Sequence, residues 1–393
     1  MTANVIVAGV GMIPFSKPGE SEAYNVMGEK AVRAALEDSS LAYDAVQQVY
    51  AGYIYADSMA GQSAVYKVGL SGVPVINVNN NCATGSTALY LARQAVASGT
   101  VDCALALGFE QMMPGALGMM FNDRPPPLQS FGEKMAAMQG IKKDVPIVAQ
   151  FFAGAGREYM EKHGTQQVTF AKIAEKARRH AANNPYAVFR EEVTAEQILQ
   201  SPPMGGPLTR LQCCPPTCGA AAAVICSEEF ANKHGIKHGV KIIAQAMTTD
   251  RGISFDPDSM VNLVGYEVTR DCAKQVYEQA GIGPEDVQVV ELHDCFTVNE
   301  LLTYEALGLA AEGGAEQFIL DGDNTYGGKV VTNPSGGLLS KGHPLGATGL
   351  AQCAELVWQL RGQAEQRQVE GVQTALQHNL GMGSSCVMTM YQR

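Results

Sequence analysis

Short apolar runs alternate with amphipathic segments along most of the chain, and this alternation predicts its secondary structure. Runs rich in Val, Ile and Ala are typical of buried strands, whereas apolar residues spaced three and four apart are typical of helices. The predicted strands cover residues 4–11, 46–53, 73–78, 101–108, 219–226, 241–244 and 287–293. The predicted helices cover residues 23–37, 88–96, 148–159, 170–182 and 268–280. Strands that alternate with helices in this way indicate βαβ units and an α/β fold with a parallel sheet.

The pattern changes between residues 112 and 210, where Met, Pro and Gly become frequent around the helical stretches. We interpret residues 112–210 as an inserted domain. It separates an N-terminal half, residues 1–111 and 211–239, from a C-terminal half, residues 240–393. Methionine is unbranched and adaptable, so the methionines of the insertion either fill its core or form a wall for an apolar substrate, and the sequence leaves both interpretations open.

The second half repeats the first. Residues 287–293 resemble 46–52, and residues 342–350 open a helix just as the stretch around Cys82 does. A constant offset of 261 residues (343 − 82) pairs His343 with Cys82, and it also pairs Gly with Gly, Thr with Thr and Leu with Leu further along. If a pseudo-twofold axis relates the halves, Cys82 and His343 converge at two helix N-termini, beside the strand ends where α/β sheets place their sites.

Cys82 is the candidate nucleophile. It lies between a predicted strand and a predicted helix, and a helix N-terminus favours a thiolate over a thiol through its unpaired N–H groups and its dipole. An isolated cysteine is more often a small buried apolar residue. The pairing with His343 favours the catalytic interpretation.

Composition and charge exclude several classes of function. The chain has 393 residues, a net charge of −11 and no apolar run near the roughly 20 residues that would span a bilayer. The charge argues against general affinity for nucleic acid or an anionic membrane. One basic group is typical of a solvated helix face but is also the best candidate for binding the phosphates of a ligand. It consists of Lys172, Lys176, Arg178, Arg179 and His180.

The ten cysteines are scattered, and no secretory signal opens the chain, so we expect reduced thiols in an intracellular compartment. That compartment is the cytoplasm in a bacterium; in a eukaryote, import into peroxisomes or mitochondria would occur without a recognisable address. Cys213, Cys214 and Cys218 lack a second ligand pair at zinc spacing, so we predict no metal site. Gly9 and Gly11 lack the third glycine of a dinucleotide fingerprint, and we interpret them as structural.

Four motifs, in this order, resemble those of the thiolases, and most closely those of the sterol-carrier-protein-type thiolases of 3-oxoacyl-CoA metabolism. The likeness extends from Met1 to Gln392. The motifs are NNCATGS at 80–86, HDCF at 293–296 followed by Asn299 and Glu300, NPSGGLLSKGHPLGATG at 333–349, and HNLGMG at 378–383. The resemblance implies two pseudo-twofold-related βαβαβαββ halves in a five-layered αβαβα core with an inserted loop domain. It also implies a homodimer, with edge strands such as that near Val101 pairing across it.

The resemblance further implies a reaction and a role for each site residue. Cys82 would attack the 3-keto carbon of a 3-oxoacyl-CoA and retain the shortened acyl group, while His343 accepts its proton. Cys295 would be the acid and base for the acetyl-CoA enolate, and His293 would help His343 to stabilise the enolate oxygen. The backbone N–H groups of Cys82 and Gly381 would form a second oxyanion hole. Coenzyme A is the expected co-substrate, and no permanently bound cofactor is expected.

Two departures from the family pattern affect these assignments. Ordinary thiolases take the acid/base cysteine from a Cys-x-Gly motif near the C-terminus, where this chain has no cysteine at 378–381. We therefore favour Cys295 and interpret Cys386 as structural. Cys218 stands where relatives usually carry Asp, with an effect that the sequence leaves open. Asp294 either caps a turn or orients a histidine.

Two alternative functions are kept beside thiolysis. One is a retro-aldolase that acts on steroid side-chain CoA esters, although such relatives lack the full set of cysteines and histidines found here. The other is a non-catalytic subunit that binds acyl-CoA.

Overall fold

The computed structural model describes residues 3–114, 121, 123–255 and 258–393. Their strands, in chain order, are β1 (Val5–Met12), β2 (Gln48–Gly52), β3 (Val75–Val78), β4 (Cys103–Glu110), β5 (Pro203–Gly205), β6 (Leu208–Thr209), β7 (Gly219–Ser227), β8 (Val240–Thr249), β9 (Val289–Glu291), β10 (Val331–Thr332), β11 (Thr374–Gly381) and β12 (Ser385–Gln392). Their α-helices are α1 (Tyr24–Ser39), α2 (Ala60–Val65), α3 (Thr84–Ala97), α4 (Gln129–Gln139), α5 (Ile147–His163), α6 (Gln167–Ala181), α7 (Ala195–Leu199), α8 (Glu228–Lys233), α9 (Met260–Leu263), α10 (Tyr266–Ala280), α11 (Thr297–Ala306), α12 (Ala315–Leu320), α13 (Gly337–Ser340) and α14 (Thr348–Arg361).

The strand order is the same in the two halves of the chain. It is β3-β2-β4-β7-β1 in the N-terminal half and β10-β9-β11-β12-β8 in the C-terminal half. In each set the first three strands run parallel to one another. The fourth strand is antiparallel to the third, and the fifth is antiparallel to the fourth. The sets join where β1 pairs briefly with β8. This equivalence confirms the internal repeat, although the sheet is mixed rather than purely parallel.

Helices cover the outside of both strand sets and fill the space between them. Helix α1 packs on β1 and β7, and α10 packs on β8 and β12. Between the strand sets, α3 packs on β2 and β4, α14 packs on β11 and β7, and the two helices contact each other. The layers follow the expected order αβαβα. The described residues of 112–210 supply α4–α7 and the β5–β6 pair but no strand of the main sheet, and the exact domain boundaries stay a prediction.

Glycines allow the two central helices to meet at backbone distance. A Cβ atom on Gly85 would lie 2.7 Å from the carbonyl oxygen of Gly346, and one on Gly349 would lie 2.3 Å from the backbone nitrogen of Ser86. Both separations are too short for a side chain. The contact brings together the loops that precede α3 and α14, which carry Cys82 and His343.

The starts of these helices correct the register of the repeat. Helix α3 begins at Thr84 after Ala83, and α14 begins at Thr348 after Ala347. The shared sequence Ala-Thr-Gly therefore superposes at an offset of 264 (348 − 84) rather than 261. The difference is close to one helical turn, which leaves the apolar periodicity almost unchanged. His343 consequently lies on a loop, further from its helix than Cys82 is.

Two strand predictions are also corrected. The segment near Val101 leads into β4, which pairs with β7 on one side and β2 on the other, so the edge strand of the N-terminal half is β3. Strand β9 ends at Glu291, before His293. The Leu292 N–H donates to Asn333 Oδ1 at 2.8 Å, which draws the chain out of the sheet. His293 and Cys295 therefore lie on a turn rather than on one face of a strand.

Within the described ranges, no helix has the length and apolar content needed to cross a membrane.

We expect Gly349→Ala to lower the free energy of unfolding by about 1–3 kcal/mol, because the new methyl group overpacks the helix contact. Gly132→Ala is the matched control, since a Cβ there meets no atom within 4 Å and alanine favours a helix. Urea unfolding followed by circular dichroism measures both. Equal midpoints for the two variants would contradict the importance of the contact.

Candidate active site

Cys82 lies on a tight turn between β3 and α3. Asn81 has a φ of 50°, in the left-handed region that asparagine tolerates better than most residues. Thr84 Oγ1 accepts the Asn80 N–H at 2.8 Å and donates to the Asn81 carbonyl at 2.6 Å. The turn holds the half-buried Cys82 two residues before the helix begins.

The surroundings of Cys82 affect the pKa of its thiol in opposing ways. Burial raises its pKa to about 12, and the charge of Glu110 acts in the same direction, whereas the backbone N–H groups of Met382 and Cys82 lower it. Loss of hydration therefore acts against the thiolate that the helix N-terminus favours. A base must remove the proton.

His343 is placed to be that base. Its backbone N–H donates to Thr217 Oγ1 at 2.6 Å, and its Nδ1 lies 2.7 Å from Thr348 Oγ1. Because the Thr348 hydroxyl donates to the Pro344 carbonyl at 3.0 Å, its oxygen accepts from Nδ1–H. Nε2 therefore carries a lone pair, and it is buried without a hydrogen-bond partner among the described residues. Burial lowers the pKa of His343 to about 3, so the ring is neutral.

His293 has the opposite tautomer. Its Nδ1 lies 3.0 Å from the side-chain amide nitrogen of Asn379, and an amide nitrogen only donates. Nδ1 therefore accepts, and the ring proton is on Nε2. Burial and the neighbouring His343 and His378 lower the pKa of His293 well below its usual value. The His293 and His343 rings meet edge to face, with centroids 5.1 Å apart.

The Cys82 sulfur and one nitrogen from each of these histidines lie within 4.8 Å of one another. Sulfur and imidazole nitrogen are the donor types that zinc prefers. However, each Nδ1 is already hydrogen-bonded, and the free nitrogen of His293 carries a proton. The set thus offers one nucleophile, one proton acceptor and one proton donor, which suits acyl-transfer chemistry better than metal binding.

Cys295 lies close enough to Cys82 and to a third thiol, that of Cys214, to interact with both electrostatically. The Cys214 N–H donates to the Cys295 carbonyl at 2.8 Å, and Cys213 forms an antiparallel bridge with Phe296. Burial, followed by the charges of Cys214 and Cys82, raises the pKa of Cys295 well above its usual value. Cys214 was not predicted as a site residue, because the neighbouring cysteine and prolines favoured a structural role.

Glu110 was also missed. This buried carboxylate at the end of β4 accepts the N–H groups of Tyr55 at 2.8 Å, Gly346 at 3.0 Å and Ile54 at 3.2 Å. It thereby ties the loop after β2 to the loop of His343. Burial raises the pKa of Glu110 to about 7. The sequence shows only a single acidic residue at the end of an apolar run, which does not indicate that its carboxylate joins two distant loops.

Three ambiguous residues now have defined contacts. Asp294 accepts the N–H groups of Leu338 and Leu339 at 2.7 and 3.3 Å, so it caps α13. Cys218 accepts from the Met112 N–H at 3.2 Å and donates to its carbonyl at 3.4 Å. The thiol group therefore fastens the start of the insertion to the residue that precedes β7. Cys386 lies in the core, and the Cys272 thiol is directed at its carbonyl.

The structure corrects the candidate phosphate-binding group. Lys176 is buried and pairs with Glu300, and it also donates to Thr332 Oγ1 at 2.5 Å. His180 is buried as well. Both face the core side of the amphipathic helix α6, so neither is available to a ligand. The three that keep some exposure are Lys172, Arg178 and Arg179.

The methionines of the insertion differ in exposure. Met112 and Met135 are buried, as the core interpretation requires, whereas Met113 is 74% exposed. Met119 and Met120 lie outside the described residues, so a substrate wall there stays a prediction.

Residues 5–229 match the model of the thiolase N-terminal domain, and residues 254–392 match that of the thiolase C-terminal domain-like family. The chain belongs to the thiolase family. It is 52% identical over 392 residues to sterol carrier protein 2 of Rattus norvegicus, covering 99% of this thiolase and 72% of that relative. The match confirms the predicted resemblance to the sterol-carrier-protein type.

Two solved structures share the fold of this thiolase. The Ltp2-ChsH2(DUF35) aldolase superposes with a TM-score of 0.83 at 25% identity, covering 99% of this chain and 97% of that one. Human mitochondrial 3-ketoacyl-CoA thiolase in complex with CoA superposes with a TM-score of 0.74 at 19% identity, covering 100% and 98%. The predicted fold is confirmed.

We expect alkylation of Cys82 by iodoacetamide to accelerate about tenfold per pH unit between pH 7 and pH 10, because the thiolate is the reactive form and the pKa lies above this range. Mass spectrometry of the labelled peptide measures the rate, with buried Cys103 as the unreactive control. A plateau below pH 9 would show that the thiolate already exists at rest.

Proposed function

We propose that this thiolase cleaves 3-oxoacyl-CoA with CoA to give acetyl-CoA or propionyl-CoA and a shortened acyl-CoA. The acyl group passes through a thioester on Cys82, and the reverse reaction is a Claisen condensation. The observation that carries the proposal is the trio of Cys82, His343 and His293, within which one ring is poised to accept a proton and the other to donate one. Lipid metabolism in an intracellular compartment is the proposed setting.

Bond formation begins at the sulfur. His343 Nε2 takes the thiol proton as Cys82 attacks the 3-keto carbon, so charge forms only when substrate is bound. Backbone N–H groups receive the resulting alkoxide. The Cys82 N–H is one donor. As the second donor we favour the Met382 N–H over the Gly381 N–H, because the Met382 N–H is hydrogen-bonded to the Cys82 sulfur.

Gly381 has a steric role in this arrangement. A Cβ atom there would lie 2.4 Å from the Asn80 carbonyl oxygen and 3.0 Å from the Ala83 nitrogen. The absence of a side chain lets the end of β11 reach the Cys82 turn. Asn81 Nδ2 donates to the Met382 carbonyl at 3.0 Å and so ties Met382 to the Cys82 turn.

Cleavage of the carbon–carbon bond then releases an enolate. Its oxygen accepts hydrogen bonds from His293 Nε2–H and from protonated His343, while Cys295 gives its proton to the enolate carbon. The Cys295 thiolate next takes the proton of CoA-SH, and the CoA thiolate attacks the thioester. Departing Cys82 recovers its proton from His343, which restores the resting state.

Coenzyme A is a co-substrate in this proposal, and its phosphates need a basic site. Arg178 stacks on the Phe189 ring at 4.5 Å, and the Phe189 N–H donates to the Ser340 carbonyl at 3.1 Å. Arg178 therefore lies beside the segment that leads to His343. Lys172 and Arg179 on the same helix complete the proposed group.

The similarity to an aldolase keeps retro-aldol cleavage of a steroid side-chain CoA ester as a second candidate. Aldol cleavage forms no acyl-enzyme and consumes no CoA, so it needs neither a nucleophilic cysteine nor a thiol that deprotonates CoA. This chain keeps Cys82 and Cys295 beside both histidines. The same residues argue against a non-catalytic acyl-CoA-binding subunit.

We expect the purified protein to consume 3-oxoacyl-CoA only when CoA is present, as measured by loss of enolate absorbance and by mass spectrometry of the products. Cys82→Ala and Cys295→Ala should each lower turnover by roughly 10²–10⁴-fold. In Cys295→Ala, iodoacetamide should still label Cys82. Cys386→Ala is the control and should retain activity.

Cys214→Ala tests the assignment of the acid, because Cys214 lies beside Cys295. Turnover lost in this variant but kept in Cys295→Ala would exchange their roles. CoA-independent cleavage, or unchanged thiolysis in Cys82→Ala, would contradict the proposed function.

We also propose a homodimer that forms through β3. Every residue of this edge strand is only half-buried, and an open strand edge is a surface for pairing with another chain. Exposed apolar side chains at Met59, Tyr66 and Leu70 lie nearby in sequence, before the strand.

The expected result for the unmodified protein is a dimer by size-exclusion chromatography with light scattering. The double variant Met59→Asp and Leu70→Asp should shift it towards monomer, whereas Leu320→Asp, at an exposed site on α12, should not. A monomeric unmodified protein would contradict the proposal.

A further inference from the structure

We propose that Tyr391, Gln377, Ser86 and Asn379 form a directed chain of hydrogen bonds that positions the ring proton of His293 for the reaction. The role in the reaction rests on the proposed function, whereas the direction of the chain rests on the geometry alone. The four are positioning residues, since they act through His293. All lie in the interior, on α3, β11 and β12.

Gln377 fixes the direction of the chain. Its side-chain nitrogen lies 2.6 Å from the Gly349 carbonyl oxygen. A carbonyl oxygen only accepts, so the NH₂ group of Gln377 must face it, and a reversed amide would set two oxygens against each other. The Oε1 atom on the other side accepts from the Tyr391 hydroxyl at 2.5 Å.

Ser86 passes this direction to the next residue. The second N–H of the Gln377 amide points at Ser86 Oγ at 2.8 Å. The serine oxygen therefore accepts, and its own proton is directed to Asn379 Oδ1 at 2.8 Å. Turning the Asn379 amide round would leave this buried hydroxyl proton without its acceptor.

Asn379 completes the chain at His293. With Oδ1 turned to Ser86, its NH₂ group faces His293 Nδ1 at 3.0 Å. Nδ1 must accept, so the proton of the neutral ring is on Nε2, the nitrogen that the proposed mechanism aims at the enolate oxygen. The His378 ring is bonded to a different part of His293. Its Nδ1 accepts the backbone N–H of His293 at 3.4 Å and does not bond the His293 ring.

The chain crosses between the two halves of the molecule. Ser86 belongs to the first turn of α3 in the N-terminal half, whereas the other three residues belong to the C-terminal half. Gly349, which anchors Gln377, is the glycine that meets the backbone of Ser86. The close helix contact and the tautomer of His293 are therefore parts of one arrangement.

Asn379→Asp tests the proposal with almost no change of shape. A carboxylate only accepts, so it draws the ring proton to Nδ1 and leaves Nε2 without a hydrogen to donate. In protein labelled with ¹⁵N-histidine, the His293 signals should change from the Nε2–H pattern to the Nδ1–H pattern. We expect kcat to fall about 100-fold while KM stays nearly constant, because the lost hydrogen bond acts mainly on the transition state.

Asn184→Asp is the matched control. Asn184 is equally buried and donates to the Ser335 carbonyl at 2.8 Å, with no contact to His293. It should keep both the His293 signals and kcat. If Asn379→Asp does not fold, Ser86→Ala serves instead, and it should replace the single tautomer with a mixture.

An Nδ1–H signal for His293 in the unmodified protein would overturn the proposal, as would unchanged signals in Asn379→Asp or in Ser86→Ala. The nuclear magnetic resonance measurement requires no turnover. A protein that shows the Nε2–H tautomer but no thiolysis would therefore refute the proposed function and leave the direction of the chain intact.

Discussion

The contact between the N-termini of α3 and α14 determines where the rest of the site lies. Glycines at positions 85 and 349 let the two backbones approach without intervening side chains. The loops before the helices therefore meet, and each supplies one group, a thiol from Cys82 and an imidazole from His343. None of these glycines has a side chain that could take part in the chemistry, yet the distance between sulfur and nitrogen depends on them.

The same close packing removes water, and the loss of water sets the protonation states. Burial raises the pKa of the Cys82 thiol and lowers that of His343, and both shifts favour a neutral pair over a thiolate with an imidazolium. In such surroundings a developing charge interacts strongly with fixed dipoles. In the proposed reaction, backbone N–H groups and the His293 ring are already aligned when charge appears, so little reorganisation is needed.

Local patterns were enough to predict most strands and the internal repeat and to single out Cys82 as a candidate, whereas His293 and Cys295 became candidates only through the family resemblance. Local patterns were not enough for features that depend on distant segments. The predicted register of the repeat was wrong by about one helical turn, because such a shift leaves the apolar periodicity of a helix almost unchanged. Lys176 was misjudged because its buried partner, Glu300, lies on another helix. Cys214 and Asn379 acquire their roles only from what the fold places opposite them.

The division of the site between the repeats makes the two halves depend on each other. The first half carries the proposed nucleophile, and the second carries both imidazoles and the proposed acid thiol, so neither repeat holds a complete set of the proposed reacting groups. The seam between the halves therefore has the same requirement as the interface of an obligate oligomer. A residue on one side can be changed without loss only if it still fits the residue that it meets on the other.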